Sequence, residues 1–140
     1  MFAKYDFRGN MLLARTVVAS GDQRVLDVAH LSDGSIIIAG WIESSVVFGA
    51  NPDTDLPVSL SNSNNGKDGF ITLNDAADAP LGTMRVGGAG DQEVTGLAVL
   101  PGDRLVAVGN YTQGATVGGT TLASAGGTDM FILRVATQPE

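Results

Sequence analysis

Short apolar runs separated by Gly, Asn and Asp turns make up nearly the whole chain, and no segment sustains the 3.6-residue period of a helix. The pattern predicts nine strands, near 2–5, 11–18, 25–31, 35–43, 69–74, 81–87, 94–100, 104–112 and 129–136. Turn chemistry separates them at Asp6-Phe7-Arg8-Gly9-Asn10, Ser32-Asp33-Gly34 and Pro101-Gly102-Asp103. Several runs are apolar on both sides of the pleat. In 129–136, Phe131, Leu133 and Val135 alternate with Met130 and Ile132; in 104–112, Val106 and Val108 alternate with Leu105 and Ala107. Burial of both faces means sheets stacked on sheets. The small residues Ala39, Gly40, Ala107 and Gly109 are expected to let neighbouring sheets approach closely.

The pattern also repeats. Gly21-Asp22-Gln23 recurs as Gly90-Asp91-Gln92, and at the same offset of 69 Ile36-Ile37-Ile38-Ala39-Gly40 matches Leu105-Val106-Ala107-Val108-Gly109. Further on, Asp68-Gly69-Phe70-Ile71 matches Asp129-Met130-Phe131-Ile132 at an offset of 61, so the first copy carries eight extra residues, placed near 51–57. The expected organisation is a first repeat at 1–68 and a second at 69–140, with a closing strand at 129–136. Repeats of this length are supersecondary units that bury their faces only against neighbours. Four-stranded sheets stacked around an axis make a propeller. Met1 aligns with Met130 inside the repeat, which suggests a chain trimmed from something longer. The segments 44–67 and 113–128 read as the variable connections, and variable loops on one face of an array often bind something.

Composition narrows the function. Hydrophobic residues make up 44% of 140, enough for a core. A net charge of −7 argues against nucleic acid and against a polybasic membrane contact. With no cysteine there are no disulfides or thiolate metal sites, and no apolar run is long enough to span a membrane as a helix. A lone His30 marks neither a zinc site nor a catalytic triad. Carboxylate neighbours such as Asp53/Asp55, Asp75/Asp78 and Asp22/Asp27 suit turn capping better than glycosidase chemistry, which needs two carboxylates across a cleft. Asp6-Phe7-Arg8-Gly9-Asn10 and Asp53-Thr54-Asp55 offer oxygens to calcium, without the full loop order of a calcium motif; no other cofactor is expected. The Gly-rich stretches 82–90 and 114–127 precede no helix that would hold a phosphate.

The residues Tyr5-Asp6, Gly9-Asn10 and Leu12, then Gly21-Asp22, then Val28-Ala29, Asp33-Gly34, Ile36, Ile38 and Ala39-Gly40 resemble the bacterial SBBP-type β-propeller repeat. So does Val117-Gly118-Gly119-Thr120-Thr121-Leu122-Ala123-Ser124-Ala125-Gly126-Gly127-Thr128-Asp129-Met130-Phe131-Ile132. The likeness covers nearly the whole chain. It departs from the pattern at Ser61-Asn62-Ser63-Asn64-Asn65-Gly66-Lys67 in the first copy and at Asp75-Ala76-Ala77-Asp78 in the second. The resemblance implies tandem four-stranded antiparallel blades and a location outside the cell or at its surface.

The resulting expectation is an all-β chain of about two blade repeats, incomplete as a closed propeller. Its partners are then further blades of the same or a longer chain, or copies of itself, with a protein or glycan ligand and no nucleic acid. The function expected is a non-catalytic structural or binding module of a surface, secreted or assembly-associated protein. The alternatives are the propeller fragment of a carbohydrate-active enzyme and the subunit of a self-assembling ring or filament. Expected contact residues are Asn51, Asp53, Asp55, Asn62, Asn64 and Asn65 in the loops, with Trp41, Tyr111 and Thr112 at strand ends. The two aromatics suit either sugar stacking or packing between blades.

Overall fold

The computed structural model describes residues 1–63 and 66–136, and all their helical or extended structure is β. Asn64 and Asn65 of the expected contact set lie outside the described residues. In chain order the strands are β1 (Phe2–Tyr5), β2 (Met11–Arg15), β3 (Val18–Ala19), β4 (Gln23–His30), β5 (Ile36–Ile42), β6 (Val46–Ala50) and β7 (Pro57–Leu60). They continue as β8 (Asp68–Asn74), β9 (Pro80–Gly87), β10 (Gln92–Leu100), β11 (Arg104–Thr112), β12 (Ala115–Val117), β13 (Thr120–Leu122) and β14 (Thr128–Val135). Each of the nine expected runs falls on a strand, with 11–18 divided between β2 and β3.

The connections 44–67 and 113–128 are not simple loops: each holds a hairpin, β6–β7 and β12–β13. These strands are three to five residues long, too short to show an alternating pattern. The two hairpins are joined differently, by the six residues 51–56 in the first and by Gly118-Gly119 in the second.

Four strands, β4–β5–β8–β9, form an antiparallel meander, and β12–β13 extends it from the Val86–Gly87 end of β9. The strands β10–β11–β14 form a second antiparallel sheet. Two smaller sheets, β1–β2 and β3–β6–β7, complete the described residues, and none of the sheets closes on itself. β10 crosses one face of the central meander, packing on β4, β5 and β8. Between these sheets Ile37, Ala39, Ile71 and Val86 meet Val94, Leu105, Ala107 and Phe131 in the main core. On the other face Ile42 and Phe70 pack with Val46 and Leu60 of the β6–β7 hairpin. β5 and β8 are thus buried on both faces, whereas β11 and β14, expected to be buried on both, bury only the face of Leu105, Ala107 and Phe131 because no described sheet covers Val108, Met130 and Ile132.

The repeated glycines act within a sheet rather than between sheets. Gly40 and Gly109 stand beside matching register shifts, at Val25/Asp27 of β4 and Val94/Gly96 of β10. Each shift is a β-bulge that pushes a carbonyl toward the neighbouring strand. A Cβ on Gly40 would strike the Arg24 carbonyl oxygen, and one on Gly109 the Glu93 carbonyl oxygen. The close approach expected between sheets falls to Ala39 and Ala107, both wholly buried in the main core.

The turns repeat despite their different sequences. Asp6 Oδ1 accepts the N–H groups of Arg8 and Asn10 at 2.8 and 2.9 Å; Asp75 Oδ1 accepts those of Ala77 and Ala79 at 2.9 and 2.8 Å. The left-handed position is Gly9 in the first turn, with φ +83°, and Asp78 in the second, with φ 66°. Aspartate tolerates that conformation better than most side chains. Lys4 of β1 reaches the buried Asp78 carboxylate at 3.2 Å and ties the first small sheet to the central meander.

Candidate binding surface

The strand register sorts the expected contact residues into two groups at opposite ends of the central sheet. One end is set by the pairs Ile36↔Asn74 and Asn74↔Pro80, the other by Ile42↔Asp68 and Gly69↔Val86. Asn51, Asp53 and Asp55 belong to the first end, because Asn51 Nδ2 donates to the Leu81 carbonyl at 2.6 Å. Trp41, Asn62, Tyr111 and Thr112 belong to the second. Asn62 Nδ2 donates to the Ile42 carbonyl at 3.1 Å, and Tyr111 and Thr112 end β11 on the corresponding side. The chain therefore presents two surfaces where the sequence suggested one.

At the first end the tip of the β6–β7 hairpin is held in one shape by Asn51. Its carbonyl accepts the Asp55 N–H, its Oδ1 accepts the Asp53 N–H, and its own N–H bonds the Leu56 carbonyl, all at 2.8 Å. Asp55 adopts φ 56° to close the turn. The result is a fixed knob exposing Asp53, Thr54, Asp55 and Leu56, with Leu56 64% accessible. Its two carboxylates project without gathering a third ligand. Among the described residues no three acidic or histidine side chains converge as a cation site. The other calcium candidate is committed elsewhere: Asp6 Oδ2 accepts from Asn10 Nδ2 at 2.8 Å while Oδ1 holds the turn amides. These bonds, the Asn10 side chain first, hold the Asp6 carboxyl below the usual carboxylate range.

At the second end the aromatic rings are enclosed, as the packing alternative requires and the sugar-stacking alternative does not. Trp41 is buried, with the Lys67 ammonium 4.4 Å and the Arg24 guanidinium 5.7 Å from its ring. Tyr111 is buried beside Phe131, and its hydroxyl donates to the Ala123 carbonyl at 3.0 Å. Lys67 also pairs with Glu93 at 2.7 Å, a bond that holds the ammonium above the usual lysine range. Tyr111, Thr112 and Glu93 then line a shallow polar cleft of about 190 Å³ with Asp91, Asn110 and Thr128.

Three further polar residues organise this region. Asp68 is buried and accepts the N–H and hydroxyl of Ser63. Gln92 is wholly buried and donates from Nε2 to the Thr112 and Gly114 carbonyls, pinning β12 to the start of β10. Asp27 Oδ2 accepts the Leu97 N–H at 2.6 Å, joining β4 to the neighbouring sheet. Of these, Gln92 was signalled in the sequence by the repeated Gly-Asp-Gln tripeptide and Asp68 by its recurrence as Asp129, while Asp27 stood out only as a neighbour of Asp22. Asp27 has Gly96 as its counterpart, so the repeat conceals it.

A last tie joins two turns. Ser32 gives its N–H at 3.0 Å and its hydroxyl to the Asp103 carboxylate, which holds that carboxyl below the usual range. A carboxylate favoured by folding adds stability above its unfolded pKa of about 3.9 and loses it as pH falls through the lower folded value. Ser32→Ala is expected to raise the Asp103 titration toward the ordinary range in a side-chain NMR pH series. The fold at neutral pH is expected to persist.

No family model matches the chain, and no solved structure matches it. The chain is 31% identical over 134 residues to the regulatory protein FlaEY of Caulobacter vibrioides. That alignment covers 96% of this chain and 14% of the relative's length.

Proposed function

We propose that the chain is a run of β-propeller blades acting as a non-catalytic binding module, with the β6–β7 knob as its contact surface. The blade reading is supported by one four-stranded antiparallel meander, β4–β5–β8–β9, covered face-on by β10–β11–β14, whose three strands repeat the order of the meander's first three. In that frame β1–β2 supplies the outer two strands of a preceding blade. Propellers close with about 4–8 blades, so these units belong in a larger ring.

The observation that carries the binding role is the ordered knob. Its repeat counterpart needs two glycines to turn, whereas six residues are spent here on a shape fixed by Asn51. Two carboxylates beside an exposed leucine suit a protein partner with basic groups around an apolar spot. The relative's name, a regulatory protein, is in keeping with a role exercised through binding.

A photo-crosslinking residue placed at Asp53 in cells of the source organism tests this. One discrete protein adduct is expected, lost when 51–56 is replaced by Gly-Gly. Absence of an adduct, or one that survives the shortened tip, would overturn the assignment.

A further inference from the structure

The turn that joins β1 to β2 is a locked scaffold carrying a bare aromatic ring. Asp6 N–H donates to the Asn10 carbonyl at 2.9 Å, Gly9 N–H donates to the Asp6 carbonyl at 3.1 Å, and the Asp6 carboxylate holds the amides of Arg8 and Asn10. Phe7, at the tip, is wholly exposed. Nothing in this network needs an aromatic at that place. The counterpart of Phe7 in the turn joining β8 to β9 is Ala76, and that turn closes with the same hydrogen bonds.

The repeat also shows that exposure belongs to the place and not to a missing neighbour. The β8–β9 turn has β1–β2 beside it, tied on by Lys4 to Asp78 at 3.2 Å, and Ala76 and Ala77 are still exposed. The β1–β2 turn has the whole four-stranded meander on its other side, and Phe7 is still exposed. A turn at a sheet end projects past the faces along which such units stack, so units on either side leave its tip in solvent. Phe7 does not stand alone there. Lys4 anchors its turn at Asp78, Asn51 anchors the β6–β7 knob at the Leu81 carbonyl, and a Cβ on Gly49 would lie 3.2 Å from Pro80 Cγ. Both tips therefore rise from the stretch 78–81, Phe7 with Arg8 on one and Leu56 with Asp53 and Asp55 on the other, all exposed. Neither apolar tip recurs: Ala76 stands in place of Phe7, and Gly118-Gly119 in place of the knob.

We infer that the Phe7 turn and the knob grip one protein partner together, Phe7 filling an apolar pocket on it. This rests on the binding role proposed for the knob and adds a second, separate anchor. A folded protein is the occupant that the chemistry selects. An aromatic ring on a fixed turn has little freedom to lose on entering a pocket, which is how interface anchors gain their energy. Arg8 beside the ring calls for an acidic group next to that pocket, and Asp53 and Asp55 call for basic groups around the site of Leu56. A membrane surface offers anionic headgroups to all three, and the two carboxylates and the net charge of −7 oppose that contact.

The test replaces Phe7 by the photo-crosslinking residue p-benzoylphenylalanine, which keeps the ring, in the full-length protein in cells of the source organism. A second strain carries the same residue in place of Asp53. The expected result is the same protein in both adducts, crosslinked at neighbouring sites on its surface. With that protein purified, Phe7→Ala is expected to weaken its binding by about 30-fold. Thermal unfolding should be unchanged by Phe7→Ala, because the ring is wholly exposed. An adduct at position 53 with none at position 7, different proteins at the two positions, or an affinity unmoved by Phe7→Ala overturns this inference and leaves the knob reading standing. Lipid adducts at position 7 overturn it in favour of a membrane contact. Absence of adducts at both positions removes the knob reading as well.

Discussion

Gly40→Ala is expected to destabilise the protein by about 3 kcal/mol, and chemical denaturation followed by circular dichroism should show it as a lower midpoint with an unchanged slope. The cost is not the ordinary loss of a flexible residue. An added methyl at Gly40 meets the Arg24 carbonyl oxygen, with the Arg24 carbonyl carbon at 2.9 Å and the Val25 Cα at 3.1 Å. All three atoms are backbone, so no side chain can turn aside. Relief requires undoing the bulge at Val25/Asp27, and the bulge aims Asp27 at the Leu97 N–H of the neighbouring sheet. The comparison that isolates the cause is Gly82→Ala. Gly82 lies in β9 with nothing within 4 Å of its Cβ position, so the same substitution is expected to be neutral or mildly stabilising. Equal effects at the two sites would show that the bulge carbonyl is not what excludes a side chain at Gly40.

This pair also shows what was legible in the sequence. Gly40 and Gly109 were visible as a repeated glycine at the end of an apolar run; the run at 36–42 is a strand buried on both faces, whereas the runs at 104–112 and 129–136, read the same way, bury one face and expose Val108, Met130 and Ile132 on the other. The neighbour that makes glycine necessary was not visible. It is a carbonyl displaced by a one-residue register shift, in β4 for Gly40 and in β10 for Gly109, and bulges leave little trace in composition. The short hairpins were hidden for a related reason: Ala115–Val117 pairs only two residues with β9 and is stabilised by tertiary contact, with Gln92 as its anchor. The contact surface was half legible. Asn51, Asp53 and Asp55 stand out as a polar insertion and do form an exposed tip. Trp41 and Tyr111 suited either sugar stacking or packing, and cations and carbonyls from other segments cover them. No local pattern encodes which strand end will be roofed by a neighbouring sheet.

Burial by a neighbouring unit is also what gives two equivalent isoleucines opposite costs. Ile71 and Ile132 occupy the same place in the repeat, one residue after the phenylalanines Phe70 and Phe131. Ile71→Asp is expected to abolish folding, because a carboxylate placed among Ile37, Val86 and Val94 would have no partner and would lose its hydration at a cost of several kcal/mol. Ile132→Asp puts the same charge on a side chain that is 72% exposed, so a change within about 0.5 kcal/mol is expected. Thermal unfolding of the two variants at low protein concentration decides the matter. A penalty at Ile132 as large as that at Ile71 would show that exposure does not set the cost at this place in the repeat.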